Sequence, residues 1–318
     1  MTLKIDLFRR MFLWGRRPFS VGLLTTFRCN FNCEFCRLPQ LGGNEMTPGE
    51  TIMLLEQFRK VGAKRLGISG GEPLLRENIG TVISAANRMG FWVTVNTNGF
   101  LLPEKLDELK DARLIVVSLD GTPEIHDHIR KAGSFERLRK GVQLARARGI
   151  DTAAIMVVTS RNLHILRQTV TMGARMGLRM FVQPVTECDL SGRLDEKLKP
   201  APEAFANEVR WLINNAAGLR LGNSRAFLRH LLHYPNWPDR HKCAAGDFFV
   251  YINPDGTLTP CHVHFLRDSP SALDLGVEEA LKRLTRNACT GCGISPYIEQ
   301  NLLADFNLGS IRHALRSI

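Results

Sequence analysis

Cys29-Asn-Phe-Asn-Cys33-Glu-Phe-Cys36 places three thiols within eight residues. Thiolates are soft ligands suited to iron and zinc. Three of them on one short loop can hold three irons of a 4Fe-4S cluster and leave the fourth iron open to a substrate or cofactor. From spacing alone, a zinc or purely structural site is the competing reading. A second group, Cys243, Cys261, Cys289 and Cys292, lies near the end of the chain, and Cys188 stands apart. In a reducing compartment eight cysteines serve as ligands or catalysts rather than as disulfides.

Positioning these thiols requires a scaffold, and the chain has the means to build one. Of its 318 residues 44% are apolar and Gly and Pro are near average, which excludes a disordered chain, a short secreted scaffold and a collagen-like repeat. No apolar run approaches the roughly 18 residues of a spanning helix, and the Arg-rich start lacks the apolar core of a signal peptide, so a cytoplasmic location is expected. Residues 20–185 alternate β-rich runs with amphipathic helices. The runs are Ser20–Thr26, Arg65–Ser69, Phe91–Asn96, Leu114–Leu119, Ala153–Thr159 and Met180–Val185. Thr47-Pro48-Gly49-Glu50 is a capping box that opens a helix with Leu54, Leu55 and Phe58 on one face. Ser134 and Gly149 bracket another, with Phe135, Leu138, Val142 and Ala145 on one face. Six β/α units without a seventh or eighth predict an α/β fold, an incomplete (β/α)6 parallel barrel. The expected division is an amphipathic extension at 1–19, the barrel at 20–190, a helical linker at 191–235 and a small metal-organised domain at 236–318, with a hairpin around Pro254-Asp255-Gly256.

The cysteine loop directly follows the first strand, and with its companions it resembles the signature of the radical S-adenosylmethionine (SAM) enzymes. Gly70-Gly71-Glu72-Pro73 closes the second strand and resembles the element whose backbone receives the ammonium of the cofactor's methionine part. Glycines suit a chain that must turn tightly and approach closely. Asn98, in Thr97-Asn98-Gly99, is similar to a pocket-lining element after the third strand. Ser118 and Asp120 resemble the pair holding the adenosine ribose, and Arg130 occupies the spacing at which related enzymes place an arginine on the cofactor carboxylate, a job suited to a planar charged fork. Phe35 matches the aromatic position near the adenine, and the fifth strand would close over the adenine through its backbone. The resemblance implies that a reduced cluster donates one electron to the SAM sulfonium, yielding methionine and a 5′-deoxyadenosyl radical that removes a substrate hydrogen.

The spacing from Cys243 through Gly256 to Cys261 resembles the opening of the SPASM domain found in peptide- and protein-modifying members of this family. A full SPASM pattern continues with three further cysteines, and Gly293 to Ile318 contains none. The four thiols present resemble the shorter twitch arrangement, which implies one auxiliary 4Fe-4S cluster; a four-cysteine zinc site is the alternative. Cys188, just past the sixth strand, is a candidate hydrogen-atom donor or a small buried residue. Glu187 and Asp189 are candidate bases or solvated loop residues, and His262 and His264 follow Cys261 as substrate-contacting or ordinary strand histidines.

Net charge is +11, yet residues 1–17 hold Lys4, Arg9, Arg10, Arg16 and Arg17 against Asp6, a net of +4, so nucleic acid is not an expected partner. Ile5, Phe8, Met11 and Phe12 share one helical side of this stretch, which can lie on an anionic membrane or pack on its own barrel. The sequence therefore predicts a radical SAM enzyme that oxidises a small molecule, with radical modification of a peptide as runner-up. A lipid-modifying enzyme and a non-catalytic iron-sulfur electron carrier are the further alternatives. An external reductant such as flavodoxin or ferredoxin is the expected partner.

Overall fold

The computed structural model describes residues 17–186, 195–216, 218–238, 243–263, 269–285, 292–305 and 307–317. Cys188 with Glu187 and Asp189, His264, Cys289 and the amphipathic stretch 1–16 lie outside them.

The chain lays down β1 (Ser20–Leu24), α1 (Pro48–Lys60), β2 (Arg65–Ser69), α2 (Ile79–Arg88), β3 (Trp92–Thr97), α3 (Leu102–Lys105), β4 (Leu114–Ser118), α4 (Pro123–Ile129), α5 (Ser134–Ala147), β5 (Thr152–Val158), α6 (Leu166–Arg175) and β6 (Arg179–Pro184). Then come α7 (Pro202–Asn215), α8 (Arg225–Leu231), β7 (Phe249–Ile252), β8 (Leu258–Thr259), α9 (Ala272–Leu275), α10 (Val277–Arg283), α11 (Ser295–Ala304) and α12 (Leu308–Ser317). The helices start where their sequences say. At α1 the Glu50 N–H donates to Thr47 Oγ1 at 3.2 Å and the Thr47 N–H donates to the Glu50 carboxylate at 2.7 Å, so two otherwise unpaired donors are satisfied reciprocally. Leu54, Leu55 and Phe58 are its buried face. The cap of α5 comes from elsewhere. Gly133 is the N-cap residue, and the Asp127 carboxylate, carried by α4, accepts from the N–H groups of Gly133 (2.6 Å) and Phe135 (2.8 Å) and from the Ser134 hydroxyl (3.1 Å).

The strands form one sheet in the order β6-β5-β4-β3-β2-β1-β7-β8. β1 to β6 are parallel, as successive crossovers through helices require. Alternate residues such as Leu66, Ile68, Val93 and Val95 face the helices and share the core with Leu54, Leu55 and Ile83. Among the described residues no ladder joins β6 to β8, so the sheet is open. The hairpin expected in the C-terminal domain extends this same sheet: β7 runs parallel to β1, pairing Ser20 with Phe249 and Gly22 with Tyr251, and β8 turns back antiparallel. Parallel topology also puts the carboxyl ends of β1 to β6 on one edge, where chemistry collects in barrel folds.

Candidate radical SAM site

The cysteine loop leaves β1 at that edge. Its two ends are clipped together by Glu45, which accepts from Thr26 Oγ1 and binds Arg28 through two parallel bonds of 2.9 Å. Arg76 adds bonds to the carbonyls of Thr25 (2.9 Å) and Met46 (2.7 Å). Pairing with Arg28 holds the Glu45 carboxyl below its ordinary range. At the loop's tip, Asn98 Nδ2 donates to Asn30 Oδ1 at 2.7 Å and reaches Cys29 Sγ at 3.9 Å, while Lys131 sits over the Phe100 ring at 4.9 Å.

The Gly70-Gly71 turn packs on this loop's stem. Gly71 N–H donates to the Thr26 carbonyl (2.8 Å) and Glu72 N–H to the Arg28 carbonyl (2.9 Å). Gly70 has φ +133°, and a Cβ there would lie 2.4 Å from the Thr26 oxygen. One on Gly71 would lie 2.2 Å from that of Arg28. The close approach that demands glycine is thus to the backbone carrying the cysteines. Glu72 is fully buried, and its carboxylate accepts from Leu74 N–H (3.0 Å), Thr97 Oγ1 (2.8 Å) and Asn98 N–H (2.7 Å). Burial pushes its pKa up, but all three partners are donors to the ionised form. This side chain joins the ends of β2 and β3.

Asp120 and Arg130 form a buried ion pair, Arg130 Nε donating to Asp120 Oδ2. The other oxygen, Oδ1, accepts from Val157 N–H at 2.9 Å, the Asp120 carbonyl accepts from Asn162 Nδ2 at 2.9 Å, and the Asp120 N–H donates to His126 Nδ1 at 3.2 Å. The Arg130 guanidinium lies over the Phe35 ring at 5.1 Å, and its Nη1 is 3.7 Å from Cys33 Sγ. Burial works against its charge; Asp120 and the Cys33 sulfur override that, so its pKa is raised. Ser118 ends β4, half-buried, in register with Ile155. Asn98, Asp120 and Arg130 therefore gather around the cysteine loop and its Phe35, with Ser118 at the end of β4. Sequence reasoning missed Glu45, Arg76 and Asn162, which touch this site through contacts remote in sequence, and His126, whose ring meets the Asp120 N–H six residues away.

The thiols suit a cluster. Burial pushes Cys29 up to about 11 and raises Cys33 as well, and each feels the charge of its neighbouring cysteines. Crowded buried thiols ionise readily only when a metal supplies positive charge. N–H donors from Phe31 (3.4 Å), Asn98 and Arg130 already point at the sulfurs. Among the described residues no three Cys, His, Asp or Glu side chains converge on a point that would hold a single ion.

At the C-terminal end Cys243, Cys261 and Cys292 gather around an apolar cluster that includes Phe249, Ile294 and Tyr297. Tyr297 stacks on Phe249 at 4.9 Å, and its hydroxyl accepts from the His262 N–H at 3.2 Å. His230 Nε2 bonds the Cys292 carbonyl at 2.9 Å.

Residues 23–172 match the family model described as Radical SAM superfamily. A probable GTP 3′,8-cyclase of Methanothermobacter marburgensis is 32% identical over 156 residues, 47% of this chain and 51% of that protein. The mycofactocin maturase MftC of Mycobacterium tuberculosis is 28% identical over 263 residues, 78% of this chain and 66% of that protein. The crystal structure of Streptococcus suis SuiB bound to precursor peptide SuiA superposes with a TM-score of 0.66 at 16% identity, covering 93% of this chain and 74% of that one, a likeness of fold. The chain thus spans about half the length of the first curated relative it matches. Residues 23–172 form a domain of the radical SAM superfamily. Membership implies a 4Fe-4S cluster and SAM, which the donor set around Cys29, Cys33 and Cys36 fits. No described helix is long and apolar enough to cross a membrane.

Proposed function

We propose that this protein is a radical SAM enzyme that removes a hydrogen atom from a peptide substrate. The observation carrying this reading is how far the likenesses extend. The match to the GTP cyclase covers less than half of the chain, whereas those to the maturase and to the peptide-bound structure run on toward the C-terminal cysteines. Oxidation of a small molecule is the second reading, favoured by the four-thiol C-terminal set, which fits one auxiliary cluster able to accept an electron from the substrate.

When bound, the cluster and SAM supply a carbon-centred radical that abstracts hydrogen. The chain's own residues do the rest. Cys29, Cys33 and Cys36 hold the cluster. The backbone of Gly70 to Pro73 and the Asn98 turn would offer polar groups to the cofactor, Ser118 and Asp120 would serve its adenosine, and Phe35 its adenine. Cys243, Cys261, Cys289 and Cys292 would hold an auxiliary cluster, and an external one-electron donor of the flavodoxin or ferredoxin type would supply the electron for the first.

The test is anaerobic reconstitution followed by dithionite-driven turnover with deuterated peptide pools and deuterated metabolite pools. Deuterium entering 5′-deoxyadenosine from peptides alone, and no cleavage in Cys33→Ala protein, is expected. Transfer from the metabolite pool alone would overturn the peptide reading. Iron analysis checks the second site: about eight irons per chain are expected, and about four with one zinc would remove the auxiliary cluster.

A further inference from the structure

We infer that Arg130 sets the reduction potential of the first cluster by acting on the Cys33 sulfur, a role separate from holding a cofactor carboxylate. The inference rests on Cys29, Cys33 and Cys36 carrying that cluster. Its basis is the asymmetry of the donors around the thiols. Cys29 receives neutral donors, the Phe31 N–H at 3.4 Å and the Asn98 amide at 3.9 Å. Cys33 receives a guanidinium, with Nη1 at 3.7 Å.

That cation is fixed on two sides. Nε binds the fully buried Asp120, and the guanidinium faces the Phe35 ring. Asp120 is itself immobilised by Val157, Asn162 and His126. The Arg130 side chain is only 10% exposed and Cys33 7%, so little water screens the contact.

Reduction of the cluster adds one electron from an external donor and forms no bond. Hydrogen bonds and positive charge at a ligand sulfur favour the more negative, reduced state and so raise the potential. Asp120 opposes this. It meets Arg130 at Nε, however, while Nη1 is the group turned to the sulfur, so the cation is the nearer charge and its effect prevails. Arg130 is in this respect a positioning residue, acting through Cys33.

The experiment is an EPR-monitored dithionite titration of reconstituted full-length protein without SAM, with iron per chain as the loading control. The cluster signal is identified as the one missing from Cys33→Ala protein. Arg130→Gln is expected to shift the midpoint potential to a more negative value, and Arg130→Lys, which keeps the charge and loses the fork, to shift it less. Because Arg130→Gln leaves a buried carboxylate unpaired and endangers folding, the deciding pair is Asp120→Asn against Asp120→Asn/Arg130→Gln. The double variant is expected to have the more negative potential of the two. Equal potentials in this pair at wild-type iron content overturn the inference. An unchanged set of cluster signals in Cys33→Ala protein overturns the cluster assignment itself, and with it the premise.

Discussion

His126 shows how one residue ties local chemistry to the stability of the site. Its ring is fully buried, Nδ1 accepts the Asp120 N–H at 3.2 Å, and Nε2 has no hydrogen-bond partner among the described residues. With Nδ1 accepting, the proton of the neutral ring sits on Nε2. Burial lowers its pKa from 6.5 to about 4, against Asp120 and Asp127, which raise it, and with Arg130, which lowers it further. Between those two values the unfolded chain binds more protons than the folded one. Its contribution is therefore complete above pH 6.5 and is lost as the pH falls toward 4. At about 1.4 kcal/mol per unit, the loss is at most about 3.5 kcal/mol. His126→Gln, which cannot titrate, is expected to flatten this part of the stability profile, as read by urea unfolding at pH 7.5, 6 and 4.5. A profile as steep as that of wild type would assign the acid sensitivity to other groups. At this scale the sequence exposed the types of Asp120, Arg130 and Phe35 but not their mutual contacts, because the pairing depends on how β4 and α4 are turned toward the cysteine loop.

Elements fare better where their determinants are local. The capping box and apolar stripe of α1 appear in the structure as read, since each contact lies within four residues. The α5 cap does not, because its Asp127 acceptor belongs to the preceding helix. The turn after β2 is intermediate: the paired glycines were visible, and what they approach was not. Adding a methyl to Gly71 would drive it into the Arg28 and Phe27 carbonyls, at 2.2 and 2.5 Å, and backbone cannot yield as a side-chain end can. Gly71→Ala is therefore expected to cost about 1–3 kcal/mol and to lower iron per chain after reconstitution, because the displaced loop carries Cys29. Gly49→Ala in the first turn of α1, where the nearest atom is 3.9 Å away, is the control and should be neutral or stabilising by up to about 1 kcal/mol. Equal iron loading in both variants would count against the link between the glycine turn and the cysteine loop.

Over the whole molecule, α11 is the strut between the two ends of the open sheet. Its Ser295 N–H donates to Gln183 Oε1 on β6 at 3.0 Å, Tyr297 stacks on Phe249 of β7, and Asn301 Oδ1 accepts the Ala244 N–H at 2.9 Å. Asn223 locks the β6 end: its Oδ1 accepts the buried Val182 N–H at 2.7 Å and its Nδ2 donates to Ser295 Oγ at 2.9 Å. Asn223→Ala leaves that N–H without its partner and is expected to cost about 1–3 kcal/mol. Hydrogen exchange should quicken at Val182 and along α11, and exchange confined to α8 would show that the strut does not depend on this residue. The sequence by itself determined the chemistry: soft ligands at fixed spacing, glycine turns and acidic or basic groups at successive strand ends, and the period that makes helices and parallel strands of what lies between. Those are properties of residue type and of neighbours a few positions away. Only the tertiary structure decided that the hairpin joins β1, that Glu45 clips the cysteine loop and that Arg130 divides itself between Asp120 and Cys33. Strand pairing uses backbone groups that nearly all residues share, and these ion pairs bridge segments far apart in the chain, so no local pattern encodes which partner is met.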